Sequence, residues 1–146
     1  MTVIKRSAKV PFTAAQMYTL VNDVEKYPEF LPWCESSVVH ARNEDELRAT
    51  LTLAKGGLRK SFSTCNRMQK NKVIDVRLIS GPFKHLKGFW RFEMLPNNDC
   101  RVTLDLEFEF LNKLISLALG PIFNQIANTL VDNFVSRAYQ LYGREQ

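Results

Sequence analysis

Two histidines and three cysteines are all the imidazoles and thiols that 146 residues contain. His40 stands alone in an early strand and His85 lies between Lys84 and Lys87, so no H-x-x-x-H pair exists, and both read as surface or hydrogen-bonded side chains. Cys34, Cys65 and Cys100 are odd in number and widely spaced, which excludes a disulfide framework or a paired-cysteine zinc site and implies reduced thiols. There is no nucleophile elbow and no carboxylate-rich metal loop. Glu107 and Glu109 share a strand face but read as solvated strand residues rather than an acid/base pair. No catalytic residue, metal ligand or required cofactor is assigned, so the expectation is a non-enzymatic protein. Long hydrophobic runs are also missing. The longest apolar patch, 108–119, is broken by Glu109, Asn112 and Lys113 and falls well short of the ~20 residues that span a bilayer. The opening MTVIKRSAKV is too polar for a secretory signal core. A cytoplasmic location is the resulting expectation.

Acid is scarce in one place above all. Residues 55–91 hold ten Lys or Arg against Asp75 alone, a formal +9, while 1–54 carry −1 and 92–146 carry −3. The net +5 therefore comes from one quarter of the chain. A field of that sign attracts polyanions, RNA phosphate or an anionic membrane face.

The length suits a single domain over 1–146. Residues 2–10 read as a strand. Thr13 with Gln16 forms a capping box, and Met17, Leu20, Val21 and Val24 then make one helical stripe. Pro28 and Pro32 make 27–34 a turn or short helical segment. Strands follow at 36–43, 46–54, 58–68, 73–80, 84–95 and 100–110. The last alternates cleanly, with Val102, Leu104, Leu106, Phe108 and Phe110 on one face and Arg101, Thr103, Asp105, Glu107 and Glu109 on the other. Turns are signalled at 43–45, 56–57, 71, 81–82 and 96–99. A helix of ~33 Å closes the chain over 121–142, with Pro121 in its first turn and an unusually broad apolar face. Strands in succession with helices at the ends predict an α+β fold, a curved antiparallel sheet of six or seven strands gripping the C-terminal helix.

Ten Phe is a high count. Trp33, Phe62, Phe83, Trp90, Phe92, Phe108, Phe123 and Phe134, with Ile126 and Leu130 from the helix, are the candidate lining of a cavity between sheet and helix for a flat apolar ligand; Phe110 is a further aromatic of that layer. For any one of these residues plain core packing is the preferred reading, and sequence does not separate a filled core from a hollow one. The basic side chains fall on hairpin tips (Lys55, Arg59, Lys60; Lys70, Lys72; Lys84) and on one outward sheet face (Arg77, Lys87, Arg91). Phe89 is the lone stacking aromatic expected there, so these nine residues predict backbone or shape recognition of a polyanion rather than base reading.

Three blocks then resemble the coenzyme Q-binding branch of the START-like (helix-grip) superfamily: NDVEKYPEFLPWC at 22–34, GPFKHLKGFW at 81–90 and LDLEFEFLNKL at 104–114. The resemblance runs over nearly the whole chain. It implies the helix-grip fold with an apolar cavity, and two functional themes. One is binding of ubiquinone or another apolar lipid in support of respiration; for such a protein the basic residues are expected to make peripheral contact with an anionic membrane. The other is binding of the large ribosomal subunit through rRNA phosphate, blocking association with the small subunit, with a small antitoxin protein as partner. A polyketide cyclase-type activity is the less favoured alternative, because the acid/base constellation is missing.

Overall fold

The computed structural model describes residues 1–143. Strand β1 (Thr2–Val10) leads into helix α1 (Ala14–Asn22) and a 3-10 helix over Val24–Glu29. Six strands follow: β2 (Cys34–Arg42), β3 (Glu46–Lys55), β4 (Leu58–Gln69), β5 (Val73–Ser80), β6 (Phe83–Met94) and β7 (Cys100–Phe110). Helix α2 (Lys113–Tyr142) ends the described chain. All seven strands form one antiparallel sheet in the order β1-β7-β6-β5-β4-β3-β2. This is the α+β helix-grip architecture that the strand run and terminal helices predict.

Local chemistry sets the element ends. The Thr13 hydroxyl accepts the Gln16 amide at 3.1 Å, and the Gln16 side chain accepts the Thr13 amide at 2.9 Å, so the capping box starts α1 as its sequence requires. Asn71 and Asn97 take positive φ in the tight turns between strands. Gly81 is more constrained. Its φ is 147°, and a Cβ there would lie 2.6 Å from the Phe62 Cβ, so the β5–β6 turn needs glycine for both conformation and space.

The C-terminal helix differs from its sequence reading. It begins at Lys113, not Pro121, and its 30 residues make it about 45 Å long. The Asn112 side chain caps it, accepting the Ile115 amide at 2.9 Å. Pro121 sits inside the helix on its exposed side. A proline there costs about 3 kcal/mol. Burial of Leu119 and Phe123 on the adjacent turns holds the helix together across it.

The sheet curls around α2. On one side the β3–β4 hairpin reaches it: a Cβ added at Gly56 would lie 3.7 Å from Ile122 Cδ1, and Lys55 Nζ donates to Gln125 at 3.3 Å. On the other side Arg6 of β1 donates to Asn128. The core lies between, where Phe123, Ile126, Ala127, Val131, Phe134 and Ala138 of α2 meet the inward residues of the strands. By length and composition alone α2 is apolar enough to cross a membrane, but that buried row makes it the core helix of the sheet.

Candidate functional site

The cavity forms where α2 and the sheet do not quite meet. It has a volume of about 110 Å³. Its wall comes from every layer: Tyr27 and Trp33 from the segment after α1, Ala49 and Leu51 from β3, Phe62, Thr64 and Asn66 from β4, Leu86 and Trp90 from β6, Leu104 and Leu106 from β7. The helix adds Phe123, Ile126, Leu130 and Phe134. Gly88 of β6 faces it with no side chain to fill the space.

Trp33, Phe62, Trp90, Phe123, Ile126, Leu130 and Phe134 of the sequence-derived lining are thus brought together. Phe83, Phe92 and Phe108 are not. Phe83 and Phe108 pack with Phe110 and Phe123, at centroid distances of 4.7 to 5.7 Å, under the start of α2. Phe92 stacks on Trp90 at 6.3 Å and meets Tyr18 of α1 edge-on at 5.7 Å. The reason is length. Strands of eleven and twelve residues run about 36 Å, so their inward rows continue beyond the cavity beneath other elements.

Sequence reading missed the polar groups of the wall. Phe62, Thr64, Asn66 and Met68 alternate inward along β4 and all four are buried, with Thr64 donating to Asn66 Oδ1 at 3.1 Å. Two polar residues on the core side of a strand were a legible signal, because polar side chains at intended core positions need a partner. Trp33 is only 6% exposed, and its indole N–H has no hydrogen-bond partner among the described residues. Tyr27 donates its hydroxyl to the Val21 carbonyl, and burial drives its pKa far above the usual phenol range. The described wall holds no carboxylate, imidazole, amine or guanidinium. Such a wall can bind and orient a ligand, but it offers no proton donor or acceptor that works near neutral pH.

The thiols are free, and two are buried. Burial pushes both Cys34 and Cys100 up to about 11 from an ordinary 9.0. The unfolded chain therefore loses these protons at lower pH than the folded one. Stability from this source is complete below about pH 9 and falls as pH rises towards about 11. The urea midpoint should drop across that window, and by less in Cys34→Ala; a flat midpoint would show that the buried thiols are not coupled to folding.

The nine basic residues fall in three places. Arg77, Lys87 and Arg91 face outward on β5 and β6, but β7 sets acids beside them. Register pairs Lys87 with Glu107 and Phe89 with Asp105, and Arg91 lies 3.4 Å from Asp105. Arg77 binds Asp75 at 3.0 Å, and the Asp75 hydrogen bond holds its guanidinium above the usual range. This face is charge-mixed rather than positive. Lys70 and Lys72 lie at one end of the sheet, and Lys55, Arg59, Lys60 and Lys84 at the other, because twelve-residue β4 separates successive hairpins by about 36 Å. At the second end Arg59 binds Glu35 at 2.7 Å and Lys84 lies 3.6 Å from Glu109. Lys60, Lys70, Lys72, Lys87 and Lys113 have no acidic partner within 4.0 Å among the described residues. A β-bulge between Phe83 and His85 produces part of this arrangement: it turns Phe83 inward and leaves Lys84 outside.

Residues 10–135 match the family described as polyketide cyclase / dehydrase and lipid transport. The chain is 48% identical over 142 residues to "Ribosome association toxin RatA" of Pseudomonas aeruginosa, covering 97% of this chain and 99% of that protein. It is 30% identical to "Coenzyme Q-binding protein COQ10 homolog B, mitochondrial" of Xenopus laevis, over 92% of this chain and 57% of that one. Among solved structures, the Zhui aromatase/cyclase from Streptomyces sp. R1128 superposes with a TM-score of 0.85 at 14% identity, over 99% of this chain and 98% of that one; at that identity the likeness concerns the fold alone.

Proposed function

Because the chain belongs to the polyketide cyclase, dehydrase and lipid transport family, in the branch of the ribosome association toxins, we propose that it is a binding protein with no catalytic step. In this reading the basic end at Lys55, Arg59, Lys60 and Lys84 grips rRNA phosphate on the large ribosomal subunit and blocks joining of the small one. The near full-length likeness to RatA carries the ribosomal part. The outward face of β5 and β6 is offset by acids, whereas Lys55 and Lys60 at this end, like Lys70 and Lys72 at the other, have no acidic partner within 4.0 Å among the described residues; reversing each pair in turn decides between the two ends. Purified protein should sediment with isolated large subunits, and binding should weaken steeply from about 50 to about 200 mM salt as counterions regain the phosphates. Equal sedimentation with small subunits, or binding indifferent to salt, would overturn the assignment.

The cavity then serves an apolar ligand carrying a carbonyl, of which a quinone is the natural example; the 30% identity to a coenzyme Q-binding protein supports that class. Size restricts the mode. A volume of about 110 Å³ is near that of an engineered cavity that admits benzene (about 150 Å³) and below the 300–1,000 Å³ typical of drug-sized sites. One ring fits as the fold stands, and a substituted ring enters only if α2 and the sheet part. Trp33 lines the wall with an unpartnered N–H, which in this reading donates to the ligand carbonyl beside the Asn66 side-chain amide. Trp33→Phe removes that donor while keeping a buried aromatic. It should weaken quinone binding about tenfold, the worth of one hydrogen bond, with little change in melting temperature. Unchanged affinity in a titration followed by fluorescence would exclude the indole as the donor.

A further inference from the structure

The first turns of α2 carry apolar side chains that the fold does not use. Leu114, Leu117, Ala118 and Pro121 stand at i, i+3, i+4 and i+7, so they share one side of the helix. All four are exposed, Leu114 by 77% and Leu117 by 69%. Leu111, 54% exposed, leads into this stripe, which runs about 10 Å along the helix. The same outward side turns polar afterwards, with Gln125, Asn128 and Asp132 all exposed. Exposed aliphatic surface on this side of α2 is therefore concentrated at the helix start; near the other end the half-exposed Tyr139 packs its ring on Phe12.

That start lies at the basic end of the sheet. Lys113 is in the same turn as Leu114 and is exposed. The Leu111 amide donates to the Pro82 carbonyl at 3.1 Å, which holds the β5–β6 turn, and Lys84 just after it, at the same end of the molecule as the stripe. On the other flank, Lys55 bonds Gln125 at 3.3 Å and brings the hairpin with Arg59 and Lys60 against the helix. Glu35 and Glu109 each already face a base there, Arg59 and Lys84. An aliphatic stripe thus shares its end of the molecule with five basic side chains, of which Lys55, Lys60 and Lys113 have no acidic partner within 4.0 Å among the described residues.

We propose that this end of the molecule docks on an anionic lipid bilayer, with Leu111, Leu114 and Leu117 entering the boundary between headgroups and acyl chains and the basic side chains at phosphate level. The stripe's chemistry selects the occupant. Nucleic acid would engage the cations but leave the leucines in water. A protein groove usually brings aromatic or arginine anchors and shape to match, whereas this surface is aliphatic with no aromatic in the stripe. A bilayer accepts both parts without shape complementarity. The surface shares Lys55, Arg59, Lys60 and Lys84 with the ribosomal reading, so membrane and large subunit compete for one end of the protein.

The test is flotation of the full chain with phosphatidylglycerol-containing vesicles and with pure phosphatidylcholine vesicles, comparing wild type with the charge-neutral Leu114→Gln/Leu117→Gln. Wild type should float with the anionic vesicles and not with the neutral ones. The double variant should partition about tenfold less or worse, melt at the wild-type temperature because both side chains are solvent-facing, and sediment with large subunits as wild type does. Failure of wild type to float, or flotation of the double variant like wild type, overturns the proposal without touching the ribosomal reading. A wild-type dimer that the double variant abolishes would also overturn it, by showing that a second copy covers the stripe.

Discussion

Replacing Lys55, Arg59 and Lys60 by glutamate is expected to lower affinity for large ribosomal subunits about a hundredfold at moderate salt and to flatten the salt dependence by up to about three units of slope. The three contributions are unequal. Arg59 already binds Glu35 at 2.7 Å, so its reversal releases that acid as well as losing a cation. Lys60 has no acidic partner within 4.0 Å among the described residues, and Lys55 is tied only to the neutral Gln125 amide, so both are available to phosphate. These side chains are at a hairpin tip, and reversal should leave the melting temperature near wild type. The matching control is Lys70→Glu/Lys72→Glu at the opposite end of β4. It changes net charge by four but not the docking end, and sedimentation should survive. Equal loss in both variants would mean that overall charge, not one end of the sheet, holds the subunit.

Phe134→Ala should destabilise the fold by about 3–5 kcal/mol, a large share of the roughly 5–15 kcal/mol that holds a domain together. Phe134 is 1% exposed and meets Tyr27, Phe30 and Trp90 edge-on at 5.4, 5.2 and 5.2 Å. It therefore joins α2 to both the sheet and the segment after α1. It also lines the cavity, so its loss enlarges an existing void. Urea denaturation would measure the cost. A small aromatic such as benzene should raise the melting temperature of the variant more than that of wild type, since a dry apolar void binds such rings. A loss below about 1 kcal/mol would mean that the neighbouring rings collapse into the space.

The strands were legible because their signal is local. Period-two alternation at 100–110 and the turn residues at 56–57, 71 and 81–82 give the structure's strand limits to within two residues. The helix start was not legible, because Pro121 carries the local mark of a first turn. What extends α2 back to Lys113 is the Asn112 cap together with burial of Leu119 and Phe123 against the sheet, and the second is a long-range fact. Trp33, Phe62 and Phe134 could be placed in the layer between sheet and helix from their size and spacing, but whether that layer is filled or hollow could not be read. Phe83, Phe92 and Phe108 could not be separated from them, since an inward aromatic looks the same whether α1, α2 or empty space lies above it.

Sequence alone determined the α+β class, the capping box at Thr13, the hairpins and the concentration of positive charge in 55–91. Each depends on composition or on residues only a few positions apart. The tertiary structure decided which of those charges remain. Pairing β7 with β6 brings Asp105, Glu107 and Glu109 from outside the basic stretch to the outward face beside Arg91, Lys87 and His85. The length of β4 sends Lys70 and Lys72 to the far end. What is left is two basic ends, and the one with Lys55 and Lys60 lies at the same end of the sheet as an exposed leucine stripe that the same packing left uncovered. Electrostatic partners and unburied apolar surface are properties of neighbours in space, and only the folded chain fixes who those neighbours are.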